Sequence, residues 1–196
     1  MTTVSAPSRP VIVVSGLPRS GTSLMMTMLV AGGIEAVVDN IRTADTDNPN
    51  GYFELERVKQ LPKGDKAWVA EAPGKVVKVI SMLLKHLPDG YEYRVVFMRR
   101  QMAEILASQR AMLGRRGHDN SPAADQEMSQ MFQKHLGEIE TWLEQQPAFQ
   151  TLYVSYNDLV KNPTALVPQI AEFLGADLDT AAMLKAVDQG LYRNRG

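Results

Sequence analysis

Between Val13 and Met26 the chain reads VVSGLPRSGTSLMM. Gly16 and Gly21 bracket Arg19, and Ser20, Thr22 and Ser23 stand where an apolar helix would open. A backbone that turns through glycines into a helix N-terminus collects unpaired N–H groups and the positive end of the helix dipole, and such a place binds anions. Glycine at positions 16 and 21 lets the turn curl inward with no Cβ in the way, while the hydroxyls of Thr22 and Ser23 can swing donors towards oxygen. The chemistry on offer is phosphate binding, with Arg19 as a cation inside the turn. The plainer alternative is a helix capped by Ser20 with Arg19 solvated. A capped helix needs neither the glycine pair nor an arginine between them.

The spacing G-x-x-x-x-G-[TS]-[TS] is close to the nucleotide P-loop G-x-x-x-x-G-K-[ST], but Thr22 occupies the lysine position. An NTP-splitting enzyme uses that lysine on the β- and γ-phosphates and a hydroxyl on magnesium. The apolar run YRVVFM, Tyr93 to Met98, ends in Arg99 and Arg100 rather than in a magnesium-holding aspartate. The displaced cation thus argues against a P-loop kinase or NTPase, and no metal is expected. Arg100 also opens a second grip: Ser108 lies eight residues on, along a helix expected over Gln101 to Leu113 with Gly114 at its end. Residues eight apart share a helix face, so Arg100 and Ser108 could hold one anion. Arg99 is out of that register; a structural role and a second donor are both open to it.

These groups need strands to carry them. Val11 to Val14 is a β-branched run of the kind buried on both faces, and it feeds the glycine turn. Leu24, Met25, Met28 and Leu29 recur at helical spacing between Ser20 and Val30, and Gly32-Gly33 stops that helix. Further strands are expected at Ile34 to Val38, Val76 to Ile80, Tyr93 to Met98 and Thr151 to Tyr156. Helices are expected at Leu55 to Leu61, from about Ser81 to before Pro88, over Asp125 to Gln145, and near Ala165 to Leu174 and Thr180 to Val187. Asp39 to Gly51, DNIRTADTDNPNG, reads as an irregular loop, and Arg115 to Ala124 as a polar one. Short apolar strands separated by helices indicate a single α/β domain over residues 1–196, a mainly parallel sheet flanked by helices, with residues 1–9 flexible.

Composition narrows the partners. The 196 residues carry a formal net charge of -1, so no overall basic field advertises nucleic acid, and any anion site must be local. No cysteine is present, which removes disulfides and thiolate zinc sites. The start, MTTVSAPSRP, lacks a signal-peptide pattern and no apolar run is long enough to span a bilayer, so a soluble cytoplasmic protein is expected.

GLPRSGTS resembles the 5'-phosphosulfate-binding loop of the sulfotransferase family, especially its bacterial members with Pro-Arg-Ser-Gly-Thr. VVFMRRQMAEILASQ is similar to the family's 3'-phosphate motif, with Arg100, Glu104 and Ser108 in register, and VSYNDLVKNPTALVPQIAEFLG, Val154 to Gly175, to its C-terminal strand, Tyr-x-Asp-Leu turn and helix. The resemblance implies a P-loop-kinase-like α/β fold and transfer of a sulfuryl group from 3'-phosphoadenylyl sulfate to a hydroxyl or amine. It implies a small-molecule, glycan or lipid acceptor. It also implies that Gly16, Arg19, Ser20, Gly21, Thr22 and Ser23 hold the 5' end of the nucleotide. Arg100 and Ser108 would hold the 3'-phosphate, and Tyr156 stands where a family tyrosine approaches the nucleotide; a half-buried tyrosine bonding across the turn is its alternative.

The general base is harder to place. Where cytosolic members carry Lys-Thr-His, this chain has Lys78-Val79-Ile80, so Lys78 matches and the histidine is missing. Some bacterial members use a glutamate downstream of the first helix, and NPNGYFE offers Glu54 after an aromatic pair that could line an acceptor pocket. Asp39, Asp45 and Asp47 are alternatives, and His86, His118 and His135 read as structural. Arg193 and Arg195, in the closing YRNRG, are poor matches to the family's late nucleotide loop. A non-catalytic module that binds adenosine bisphosphate therefore stays open beside the enzyme.

Overall fold

A computed structural model of the protein describes residues 9–39, 41, 53–114 and 122–187. Four strands, β1 (Val11–Gly16), β2 (Val76–Lys78), β3 (Tyr93–Arg99) and β4 (Phe149–Ser155), form one sheet in the order β2-β1-β3-β4. Every pairing is parallel, so all four carboxyl ends lie along one edge. The register sets Val14 opposite both Lys78 and Val96, and Arg99 opposite Ser155.

Side chains alternate across the sheet with period two, and each face meets its own apolar layer. Ile12, Val14, Val76, Val96 and Met98 pack with Met25, Met28 and Leu29 of α1 (Thr22–Ala31). Val11, Val13, Val77, Val95 and Phe97 face the opposite way, onto Leu61, Val69 and Leu84 and onto Ile139 and Leu143 of a long helix. Full burial of such side chains contributes about 1.5–3 kcal/mol each. The sheet is therefore a rigid frame for whatever its carboxyl edge carries.

After β3 come α2 (Met102–Gly114) and α3 (Pro122–Glu144), and after β4 come α4 (Tyr156–Lys161), α5 (Pro163–Leu174) and α6 (Thr180–Lys185). The Glu56–Lys63, Ala67–Glu71 and Ser81–His86 segments are 3₁₀ helices. The strand expected at Ile34 to Val38 reduces to a single bridge between Ala36 and Val76. Its cause is Asp39, whose carboxylate accepts from the amides of Ile41 and Glu56 and draws the chain off the ladder. The last strand stops at Ser155, because the Ser155 hydroxyl accepts from the Asp158 amide and caps α4. Tyr156 thus opens a helix. Residues 42–52, 115–121 and 188–196 lie outside the described residues, and with them most of the two expected loops, Asp45, Asp47, His118, Arg193 and Arg195. No described helix is long and apolar enough to cross a membrane.

Candidate functional site

The chain leaves β1 towards β2 on one side and leaves β3 towards β4 on the other. In open parallel sheets a crevice forms at such a reversal, outside the carboxyl ends. The glycine turn follows β1 and Arg100 follows β3, so both border that crevice.

Steric demands explain both glycines. Gly16 has φ +142°, and a Cβ there would lie 2.5 Å from Ser20 Oγ and 2.6 Å from the Met98 carbonyl oxygen. Gly21, the N-cap of α1, has φ +100°, and its Cβ would fall 2.3 Å from Cδ2 of Tyr156. α1 is therefore capped by a glycine that offers no side-chain bond, not by Ser20. Ser20 is 1% exposed, and its hydroxyl has no hydrogen-bond partner among the described residues. Thr22 is buried and Ser23 half-buried at the first two positions of α1.

Arg19 takes φ +70°, a left-handed conformation that costs a non-glycine residue on the order of 1–3 kcal/mol. Contacts to α2 and to the exit of β3 help hold it there. Its Nε donates to Ser108 Oγ at 2.8 Å, and Arg100 Nη1 donates to its carbonyl oxygen at 3.1 Å. Arg19 is accordingly no solvated bystander: it ties the turn to α2 and to the exit of β3. Arg100 Nε in turn donates to Glu104 Oε2 at 2.8 Å, in a pair whose side chains are only 7% and 4% exposed. The guanidinium lies 4.5 Å from the ring centre of buried Tyr156, a cation–π contact. Gly21, Arg19, Ser108, Arg100 and Tyr156, dispersed over the sequence, thus form one cluster. Arg99 goes elsewhere, making a two-pronged pair with Glu140 of α3 at 3.0 and 2.8 Å and lying 4.0 Å over Tyr153. Of its two open roles the structural one fits that geometry.

A second group gathers at the end of β2. Lys78 Nζ is 4.0 Å from Glu54 Oε1, and Lys59 Nζ is 3.5 Å from Glu54 Oε2. A hydrogen bond from Lys59 to Glu56, with the Glu54 charge adding to it, holds the Lys59 ammonium above its ordinary value. Asp39 serves this group indirectly. Its carboxylate takes the Glu56 amide and its own amide donates to the Glu54 carbonyl, so it fastens the backbone on either side of Leu55. Phe53 packs against the α1 side of the core.

Asn157 was not legible as a site residue. Buried at the start of α4, it donates from Nδ2 to Glu104 Oε1 at 2.8 Å across 53 positions of sequence. Only the neighbouring Tyr156 and the acid of the Arg100 register pointed in its direction.

His86 closes a 3₁₀ turn, two residues before Pro88. His135 Nε2 lies 2.9 Å from the hydroxyl of fully buried Ser81, just past β2. Burial pushes the imidazole below its usual value; Glu138 opposes that and Lys85 reinforces it. The neutral ring belongs to the folded state, whereas the unfolded chain takes up a proton near pH 6.5. Its contribution to stability is complete above that pH and is lost as the pH falls below it, through the lower folded value. Urea unfolding on either side of about pH 6.5 should show this loss in the natural protein and less of it in His135→Gln; equal acid sensitivity in both would remove His135 as a cause.

The sequence matches the model of the sulfotransferase family over residues 38–180. That span begins after the glycine turn, so the turn and the match are independent observations. No curated protein matches the chain by sequence. Among solved structures, the chain is similar to sulfotransferase STF1 from Mycobacterium tuberculosis H37Rv, with a TM-score of 0.59 and 18% identity over 94% of this chain and 74% of that one. The sulfotransferase domain from the curacin biosynthetic pathway has a TM-score of 0.54 and 15% identity, covering 93% of this chain and 79% of its own. Sulfotransferase STF9 from Mycobacterium avium has the same score and identity over 97% and 70%.

Proposed function

The chain belongs to the sulfotransferase family, and from that premise we propose that it moves a sulfuryl group from 3'-phosphoadenylyl sulfate to a hydroxyl or amine. The observation that carries the reading is the Arg19 link between the glycine turn and Ser108, beside Arg100, at the sheet's reversal point. Residues of two motifs far apart in sequence meet there through side-chain and backbone hydrogen bonds.

In this reading the phosphosulfate end lies in the turn from Gly16 to Ser23. The glycines at 16 and 21 let the turn pack directly against Ser20, Met98 and Tyr156, and the unpartnered Ser20 hydroxyl is a donor for a phosphate oxygen. The 3'-phosphate meets Arg100 and Ser108. Ser108 accepts from Arg19 and keeps its own O–H to donate, so both bonds can coexist. Tyr156, fixed between Gly21 and Arg100, borders the nucleotide.

The acceptor oxygen attacks sulfur in line as the bond from sulfur to the phosphate oxygen breaks. Charge grows on that leaving oxygen, and Arg19 with the turn's amides is placed to stabilise it; fixed donors around developing charge are usually the largest catalytic contribution. Arginine keeps its proton, so its part is electrostatic. Glu54 takes the acceptor's proton, and Lys78, 4.0 Å from that carboxylate, offsets charge on the group in transit. The products are the sulfated acceptor and adenosine 3',5'-bisphosphate.

A melting series distinguishes this from kinase chemistry. Adenosine 3',5'-bisphosphate at a hundred times its dissociation constant should add about 2.7 kcal/mol of stability. Magnesium should change little. A larger upward shift with ATP and magnesium than with the bisphosphate would replace the sulfotransferase reading by an NTPase one.

A further inference from the structure

The Arg100 guanidinium is held in a chain of buried hydrogen bonds that ends on a residue to which the family resemblance gives no part. Glu104, 3% exposed, spends one carboxylate oxygen on Arg100 Nε at 2.8 Å and the other on Asn157 Nδ2 at 2.8 Å. Asn157, 5% exposed, accepts through Oδ1 from the Gln101 amide at 3.4 Å. The chain therefore closes on the backbone residue directly after Arg100. Its members come from the exit of β3, from α2 and from the first turn of α4, so it pins the guanidinium plane between two strand ends. Tyr156, adjacent to Asn157, covers one face of that plane.

We propose that Asn157 is a positioning residue: through Glu104 it fixes the plane in which Arg100 meets the 3'-phosphate of the nucleotide. The inference rests on the sulfotransferase reading of the site. A carboxylate held on one oxygen can rotate about its last torsion and carry the arginine with it; a donor on the other oxygen restrains that rotation. Burial makes the restraint effective, because water is not available to substitute for Asn157. An amide is the residue type the geometry demands. It must donate to Glu104 and accept from Gln101 at once, and neither aspartate nor leucine does both.

The donor and acceptor pattern supplies its own test. In Glu104→Gln, whichever way the new amide turns, one N–H group faces another donor, either Arg100 Nε or Asn157 Nδ2. In Asn157→Asp, two carboxylates face each other. The double variant restores these three bonds with the charge moved: the amide of Glu104→Gln accepts from Arg100 and donates to the carboxylate of Asn157→Asp, which still accepts from Gln101.

Calorimetric affinities for adenosine 3',5'-bisphosphate and adenosine 5'-monophosphate should be measured for the natural protein, both single variants and the double. The natural protein should prefer the bisphosphate. Each single variant should lose roughly tenfold to a hundredfold of that preference while binding the monophosphate unchanged, and the double variant should regain most of it. Should the single variants fail to fold, the double variant decides alone, since it should fold and discriminate as the natural protein does. Natural discrimination with undiminished discrimination in the single variants, or no recovery in the double, would overturn the role of Asn157 and leave the sulfotransferase reading standing. No preference for the bisphosphate in the natural protein would overturn both.

Discussion

Exchanging Glu54 for glutamine is expected to lower the turnover number about 10²- to 10⁴-fold, the usual contribution of a positioned general base, with affinity for adenosine 3',5'-bisphosphate unchanged. The substitution keeps the size and shape of the side chain and removes its capacity to accept a proton, together with the charge that faces Lys59 and Lys78. Glu54 lies at the end of β2 beside Lys78, outside the cluster of Arg19, Arg100 and Ser108 assigned to the nucleotide's phosphates. Binding and turnover should therefore separate in this variant. Single-turnover measurement of sulfuryl transfer, paired with calorimetric titration of the bisphosphate, checks the separation. Unchanged turnover would remove Glu54 from the mechanism. It would not move the role to Asp39, whose carboxylate is already engaged by the Glu56 and Ile41 amides. Bisphosphate binding without transfer to any acceptor, in the natural protein, would instead select the binding-module reading.

Much of the architecture was legible because parallel strands buried on both faces leave a plain trace. Val11 to Val14 and Tyr93 to Met98 are nearly unbroken apolar runs, and both are strands. The errors arise where a polar side chain ends an element from outside it. Nothing between Ile34 and Val38 announces that Asp39 will bind an amide seventeen positions later and end the pairing after one bridge. At the close of β4 the signal was present. Ser155 followed three residues later by Asp158 is a capping pattern, and it places Tyr156 on a helix rather than a strand.

The site divides in the same way. Gly16, Arg19 and Gly21 are neighbours along the chain, so their spacing alone exposed the glycine turn between β1 and α1. Arg100 at the end of an apolar run and Ser108 eight residues on were equally open to reading. The bonds that join these two local patterns were not. Arg19 reaches Ser108 across 89 positions and Asn157 reaches Glu104 across 53, and single-sequence periodicity carries no information over such distances. The pairing of Glu54 with Lys78 lies between these cases, since both residues stood out for their chemistry while their proximity depended on the segment after Asp39 returning to β2.

Arg100→Ala is expected to be the most damaging single substitution in this region, destabilising the protein by about 3–5 kcal/mol, because it strands a buried carboxylate. Glu104 would keep Asn157 as a neutral donor but lose its countercharge at 3% exposure. Arg19 would lose the donor on its carbonyl oxygen, a contact that helps hold its left-handed backbone. Tyr156 would lose the cation on its face. The melting shift with adenosine 3',5'-bisphosphate should vanish as well, and that loss has to be separated from instability. Combining Arg100→Met with Glu104→Gln does so. With the arginine gone, the amide of Glu104→Gln can turn its oxygen to Asn157 and leave no charge buried, so most of the lost stability should return. Bisphosphate binding should not return with it, since the cation that meets the 3'-phosphate is still missing. A double variant that is stable and binds the bisphosphate like the natural protein would show that Arg100 serves the fold alone. In that event the 3'-phosphate would need another cation, and Arg19, already bonded to Ser108, is a candidate that the geometry offers.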